Sequence, residues 1–234
     1  MTFSQLEKER YARHIIIENF GEKGQLNLKT GRVLVIGAGG LGCPVIQYLV
    51  AAGVGQIGIV DGDTVSLSNL QRQILYTETE IGLSKSNIAA AKMRELNNTI
   101  KIQEYNEFVT SESADKIFPN YDLVVGCTDS YNTRYLIDKK SIEHNIPFVH
   151  GAIFEFEGQL SVLNYKGSPS YFDIFGPQPA ELSEPGGVVG AIPGIIGGLM
   201  AIEAIKILTG LGAVLSNRLL LYNGLENSFT QINI

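Results

Sequence analysis

The sequence is poor in cysteine: of 234 residues only two are Cys. Two thiols cannot build a disulfide framework, and a single copy of the chain cannot offer four thiolates to zinc. No run rich in Lys or Arg occurs, the formal net charge is -6 and the pI is near 5.1. A nucleic-acid or anionic-membrane surface needs clustered cations, so neither partner is expected. The start, MTFSQLEKERYARH, mixes both charge signs and has no basic segment followed by an apolar one. It does not read as a secretory signal, and a reducing cytoplasm is the expected location. A clean membrane span is missing as well. The longest apolar run, Val188 to Ile202, meets Glu203 and Lys206 at once, whereas a span needs ~20 predominantly apolar residues and charges within it are costly. This stretch reads as a buried core helix, with Pro193 near its first turn and Gly210 and Gly212 past its end. What remains is one large domain or two small ones, with small molecules or proteins as partners.

Ser4 and Glu7 have capping-box spacing at the head of a helix that runs to about Phe20, followed by a polar, Gly-containing linker. Arg32 to Ile36 (RVLVI) is a β-branched run ending in GAGGLG. Leu41 to Ala52 reads as a helix and Gln56 to Val60 as a strand. Lys85 to Asn97 reads as a helix, Asp122 to Gly126 as a strand, Thr133 to His144 as a helix and Pro147 to Ala152 as a strand. Short apolar runs alternating with helices give a parallel sheet covered on both faces. In the last third, Gln159 to Asn164, Arg218 to Tyr222 and Phe229 to Ile232 are strands with fewer helices between them. The expected fold is α/β and Rossmann-like: a mostly parallel sheet with antiparallel strands at its C-terminal edge and helices on both faces. Residues 167–187, rich in Pro, Gly and Ser, are expected to form a mobile loop.

Gly37, Gly39 and Gly42 fit G-x-G-x-x-G between a strand and a helix, and Asp61 follows Gly42 by 19 positions at the end of the next strand. Glycines let the backbone approach phosphate oxygens, the helix N-terminus offers unpaired N–H groups, and a carboxylate accepts from ribose hydroxyls. By itself this pattern fits NAD or FAD as readily as a mononucleotide. The next segment separates the readings. GDTVSLSNLQRQILY leads to Lys85, and CTDSYNTR places Asp129 after a later strand. A nucleoside triphosphate needs cations and a metal-holding carboxylate beside its phosphates, and an ordinary NAD site does not. Arg72 and Lys85 are the candidate phosphate clamp and Asp129 the candidate metal ligand. Taken singly, Arg72 or Lys85 reads as a solvated surface charge, and Asp129 as the N-cap of the helix near Thr133. His144 and His150 read as packed or exposed histidines, and both cysteines, Cys43 and Cys127, as small core residues.

GAGGLG, VDGDTVSLSNLQRQIL, GLSK, CTDSYNTR, GAIFEFEGQ and GIIGGLMAIEAIKILTG follow one another with a spacing that resembles the ThiF/MoeB/HesA family, bacterial relatives of ubiquitin-activating enzymes. The resemblance runs from RYARH to the last residue. It implies an adenylyltransferase: ATP and the C-terminal glycine carboxylate of a small ubiquitin-like sulfur carrier, of ThiS or MoaD type, give a carrier acyl-AMP and pyrophosphate. It implies phosphate contacts at Gly37, Gly39 and Gly40 and a ribose contact at Asp61. Asn69, Arg72, Gln73 and Lys85 would position the triphosphate, with Ser68 and Gln71 nearby, and Asp129 would bind Mg²⁺. Ser130 stands where relatives have Asn beside the nucleotide. Arg13, in RYARH, matches an arginine that crosses the interface of a homodimer to the partner's ATP. The nucleotide-binding half is about 1–152 and the carrier-binding and dimer half about 153–234 of a single domain, 1–234.

The departures from the family pattern carry expectations too. Ser170 and Asp173 stand at the first C-x-x-C of zinc-bearing relatives, and the sequence stops at QINI before the second, so no zinc site is expected. Ser183 stands where some relatives carry the cysteine that links covalently to the carrier, so adenylation without that bond is expected. The length leaves no room for an added sulfurtransferase domain, so a separate sulfurtransferase is the expected sulfur source. A carboxylate nucleophile is already ionised at pH 7, so no general base is required. The alternatives are an NAD- or FAD-dependent oxidoreductase, resting on the glycine loop alone, and a non-catalytic carrier-binding module. Within the family, a tRNA-modifying dehydratase is the weaker option because this sequence has no added basic extension.

Overall fold

The computed structural model describes residues 2–178 and 186–234. The chain opens with α1 (Gln5–Arg10), α2 (Ala12–Ile15) and α3 (Gly21–Thr30). The capping box at Ser4 and Glu7 is formed, but the expected single helix is broken into two short ones. The expected linker is itself helix α3, whose first residue, Gly21, takes a positive φ. Polar residues hid this helix from the apolar periodicity; only Gly24, Gln25 and Leu28 face inward.

From there the alternation follows the sequence closely. β1 (Arg32–Ile36), α4 (Gly42–Ala52), β2 (Gln56–Val60), α5 (Lys85–Leu96), β3 (Lys101–Tyr105), α6 (Ser111–Ile117), β4 (Leu123–Gly126), α7 (Tyr131–Glu143) and β5 (Phe148–Phe154) build the parallel part. β6 (Glu157–Leu163), α8 (Tyr171–Phe175), α9 (Ala191–Thr209), β7 (Arg218–Asn223) and β8 (Ser228–Asn233) complete the chain. One eight-stranded sheet runs in the order β3-β2-β1-β4-β5-β6-β7-β8. Pairing is parallel from β3 to β5 and antiparallel from β5 to β8. β3 and α6 escape a reading by pattern because β3 is an edge strand that buries only Ile102 fully.

Alternation along β1 shows how the layers form. Val33 and Val35 join the core under α4, α5 and α9, whereas Leu34 and Ile36 join the core under α6 and α7. Successive side chains of a strand point to opposite faces, so a strand buried on both sides must be apolar throughout. Helix α9 packs one side of itself along β5, β6 and α4, burying Ile192, Pro193, Ile196, Gly197, Met200, Ala201 and Ala204. The approach is close: a Cβ at Gly158 would lie 2.3 Å from Ile196 Cγ1. Glu203 is buried at the same face and accepts from the Leu215 amide at 2.9 Å. The opposite side of α9 is open, with Gly194 and Ile195 exposed and Ile202 51% exposed. The expected buried core helix is therefore buried along one side only.

The expected mobile loop over 167–187 is anchored wherever it is described. Ser170 and Asp173 form a reciprocal capping box that starts α8. Asp138 of α7 accepts from the amides of Tyr171 (2.8 Å) and Phe172 (3.2 Å) and from Asn164 (3.1 Å). Tyr171 is buried and stacks edge-on with Tyr135, whose hydroxyl donates to Gly176 O at 2.9 Å. At the far end the Glu155 amide donates to Gly187 O at 2.7 Å. These ties are between distant residues and leave no trace in local periodicity. Ser183 lies outside the described residues.

Candidate nucleotide and peptide-tail site

β1 is the first strand laid down, β2 pairs on one side of it and β4 on the other. Chain connections therefore leave in opposite directions at the carboxyl ends of β1 and β4, and such a reversal opens a crevice there. A cleft of about 1430 Å³ occupies it. The glycine loop after β1 and the Thr128–Ser130 segment after β4 form its floor. Gly37 has φ +98°, and a Cβ there would sit 2.5 Å from Cys127 O. Both the left-handed backbone and the contact demand glycine.

Asp61, at the end of β2, is buried and ties this floor together. Its carboxylate accepts from the Ala38 amide at 2.7 Å and the Asp63 amide at 2.8 Å. Burial pushes its carboxyl up, and those two amides pull it back down. The Lys85 side chain is almost completely buried at the first turn of α5, and its Nζ lies 3.1 Å from Asp63 Oδ2. Arg72 projects from the turn after β2, held by its Nη1 donating to Ser68 O at 3.2 Å. Gln73 is buried beside the glycine loop, and its Oε1 has no hydrogen-bond partner. Gly40 packs against Pro193 at the start of α9, so the loop is buttressed by the second half of the chain. The α7 N-cap is Ser130, whose Oγ accepts from the Thr133 amide at 3.3 Å. Asp129 is therefore not the cap, and it is exposed to the cleft.

Gly37, Gly39, Gly40, Asp61, Gln71, Arg72, Gln73, Lys85, Asp129 and Ser130 all line this cleft. Ser68 and Asn69 do not. They form the 3-10 turn below it, where Asn69 O accepts from the amides of Arg72 and Gln73, so their backbone places those side chains. Arg13 is exposed on α2, apart from the cleft of its own chain. It follows Tyr11, which packs under Gly53 before β2, at the amino edge of the sheet. Cys43 and Cys127 are buried, and burial pushes the Cys43 thiol up to about 12 and raises Cys127 as well. Thiols so protonated are not nucleophiles at neutral pH. His150 is fully buried among Phe148, Tyr171 and Phe175, and burial holds it down to about 3.

Beyond Asp129 the cleft continues onto a face of the sheet that no helix among the described residues covers at β6–β8. Register places Ala152, Gln159, Leu221 and Thr230 in one row across β5–β8, and Phe154, Glu157, Asn223 and Ser228 in another. Directly paired residues share a face, and all eight line the cleft. Helix α9 covers the other face, where Gly151 and Gly158 meet Met200 and Ile196. Sequence reasoning missed this floor and also Asp63 and Arg134. The period-two pattern of β6 carried a signal for Glu157 and Gln159; Arg134 lies one helical turn after Ser130.

The whole span from residue 11 to residue 234 matches the ThiF family model. The chain belongs to the ThiF family. It is 44% identical over 238 residues to a probable molybdopterin-synthase adenylyltransferase of Porphyra purpurea, covering all of this chain and 62% of that protein. It is 46% identical over 232 residues to the adenylyltransferase and sulfurtransferase MOCS3 of Culex quinquefasciatus, covering 97% of this chain and 53% of that one. A sulfur carrier protein adenylyltransferase of Thermus thermophilus is 41% identical over 243 residues, which is 100% of this chain and 90% of the relative. The chain thus spans between half and two thirds of the first two relatives. Among solved structures, E. coli MccB with MccA-N7isoASN superposes with a TM-score of 0.86 at 20% identity, over 99% of this chain and 72% of that one. That likeness concerns the ThiF-type, Rossmann-like fold.

Proposed function

We propose that this ThiF-family protein adenylates the C-terminal glycine carboxylate of a small ubiquitin-like sulfur carrier, of MoaD or ThiS type, using ATP and Mg²⁺. The observation that carries this reading is the convergence of the glycine loop, Arg72, Lys85, Gln73 and Asp129 on one end of a cleft whose other end is lined by rows of strand residues from β5 to β8. The names of the similar proteins from Porphyra and Thermus support it.

The cleft fits a nucleoside triphosphate. The glycine loop lines the cleft, the cations Arg72, Lys85 and Arg134 face it, and Gln73 brings a side-chain amide beside the loop. Among the described residues no cluster of three His, Cys, Asp or Glu could hold a metal by itself. Mg²⁺ suits such a site because it is commonly held by one or two carboxylates together with substrate phosphates. Asp129 would be its protein ligand, and the ion would neutralise phosphate charge when bound.

A carboxylate oxygen attacks the α-phosphorus, the bond from that phosphorus to the bridging oxygen breaks, and its electron pair leaves with pyrophosphate. No proton moves, so the enzyme's work is to align two anions and to stabilise the leaving group. Arg72 and Lys85 supply charge to the leaving phosphates. The glycine tail lies over Ala152, Gln159 and Leu221 and points toward Asp129. Without a linking thiol at Ser183, the acyl-adenylate passes directly to a sulfurtransferase. We further infer a cytoplasmic homodimer. The open Gly194–Ile195–Gly198–Ile202 side of α9 is apolar and offers a surface for a second copy, and Arg13, remote from its own cleft, would serve the partner's nucleotide.

The test is carrier-dependent ATP/pyrophosphate exchange with purified MoaD-like and ThiS-like carriers, which also decides the pathway. Arg72→Ala and Asp129→Ala should each lower exchange by roughly 100-fold or more with little change in melting temperature. Unchanged exchange in both variants sinks the assignment. Mixing Arg13→Ala with Asp129→Ala should restore part of the activity if sites are shared between copies.

A further inference from the structure

Arg134 belongs to no role described so far, yet it is placed where a cation is costly. It sits in the first turns of α7 and is only 8% exposed. Its Nε and Nη2 donate to Thr128 O at 3.3 and 3.1 Å, and its guanidinium carbon stands 5.1 Å from the centre of the Tyr131 ring. No salt bridge among the described residues includes it. A guanidinium has five N–H donors in a planar fork, so the contacts with Thr128 O and the Tyr171 side chain still leave donors unspent. A buried cation lacking a carboxylate is unfavourable unless an anion arrives to meet it.

The location says which anion. Arg134 lines the same cleft as Asp129, Ala152 and Gln159, and its charge reaches His150, whose Nε2 is 3.2 Å from Gln159 Nε2. It lies near enough to Tyr171 and His150 for its charge to act on both. The phosphate end already has Arg72 and Lys85. The junction between the phosphates and the bare sheet is where a peptide carboxylate must stop to attack the α-phosphorus, against the repulsion of a polyanion. A planar fork is the side-chain geometry that matches a carboxylate with two parallel hydrogen bonds.

We propose that Arg134 binds the C-terminal carboxylate of the carrier and holds it at the junction for in-line attack, while its contact with Thr128 O fixes the backbone that presents Asp129. This rests on the adenylation reading for the attack step, but not for carboxylate recognition. During attack one carboxylate oxygen forms its bond to the α-phosphorus and the other keeps its hydrogen bond to the guanidinium. The departing pair goes to pyrophosphate, and no proton is exchanged with Arg134.

The experiment compares wild type, Arg134→Lys and Arg134→Gln. A purified MoaD-like carrier ending in a free Gly-Gly carboxylate and the same carrier ending in a carboxamide are titrated by calorimetry, and exchange is measured with the free acid. Wild type should bind the acid about 10-fold or more tightly than the amide, and Arg134→Gln should lose that preference. Its kcat/KM for carrier should fall roughly 100-fold while KM for ATP stays within about threefold, with partial rescue by added guanidinium. Arg134→Lys, which keeps the charge and loses the fork, should fall between them and covers the case in which Arg134→Gln is poorly folded. Equal binding of acid and amide to wild type, or a preference that survives in both variants, overturns the proposal. Acid preference that depends on Arg134 without any exchange would keep the carboxylate site and remove the adenylation reading. Exchange that is indifferent to Arg134 would do the reverse. No binding of either carrier form counts against both.

Discussion

β1, β2 and β4 are buried along nearly their whole length, whereas β7 alternates and β8 is mostly exposed. The parallel half is sandwiched between helices and reads as unbroken apolar runs. Among the described residues the antiparallel half carries α9 on one face and, on the other, only the short α8 beside β5, with the rest of that face given to the cleft. The contrast shows a division of labour within one sheet. A strand covered on both sides holds its C-terminal loop rigidly, which suits groups that must meet phosphate oxygens at fixed distances. A strand covered on one side can offer a row of backbone and small polar groups to an extended peptide. The two halves are coupled by contact, since the N-terminal end of α9 packs on Gly40 and a Cβ at Gly190 would lie 2.0 Å from Gln71 O.

That contrast can be broken most severely in the parallel half. Gly37→Ala forces a Cβ onto Cys127 O in a left-handed backbone. It should cost roughly 3 kcal/mol of stability and abolish nucleotide binding, read by thermal unfolding and calorimetry. The same change at Gly187, which has open space, should be nearly silent. In the antiparallel half, Glu157→Lys or Gln159→Ala should raise KM for carrier by about 10-fold and leave KM for ATP unaltered. Equal effects on both constants would show that the floor and the phosphate end do not act separately.

The smallest effect concerns His150, which stands between the halves. Its folded pKa, near 3, is below the unfolded value near 6.5. The unfolded chain takes up a proton first, so stability is full above about pH 6.5. It should fall by up to about 1.4 kcal/mol per pH unit toward pH 3. His150→Phe should flatten the melting-temperature profile between pH 7 and 5 without altering exchange at pH 7.5. A profile as steep as wild type would mean that other groups set the acid sensitivity.

Much of the site was legible because its chemistry is local. The glycine loop, Asp61, the Arg72–Gln73 pair, Lys85 and Asp129 each sit at a strand end or a first helical turn, and such positions are marked by where apolar runs stop. Asp129 could be read as a cap until Ser130 was seen to fill that place. Helix α3, edge strand β3 and the anchored segment around α8 were not legible, since their stability comes from a few distant contacts such as Asp138 with the Tyr171 amide. Resemblance placed Asn69 with the triphosphate and Ser68 nearby, and the structure adds that the carbonyls of both shape the turn under Arg72.

The sequence by itself determined the layered α/β fold, the switch from parallel to antiparallel strands and most of the residues that line one end of the cleft. Periodicity and turn chemistry act over a few residues, and so does the reading of them. Only the tertiary structure decided that rows from four strands line one cleft, that α9 keeps an open apolar side, and that Arg134 is buried beside Thr128 with no salt bridge among the described residues. Cross-strand register and burial are set by which distant segments pack together, and no stretch of chain contains that information alone.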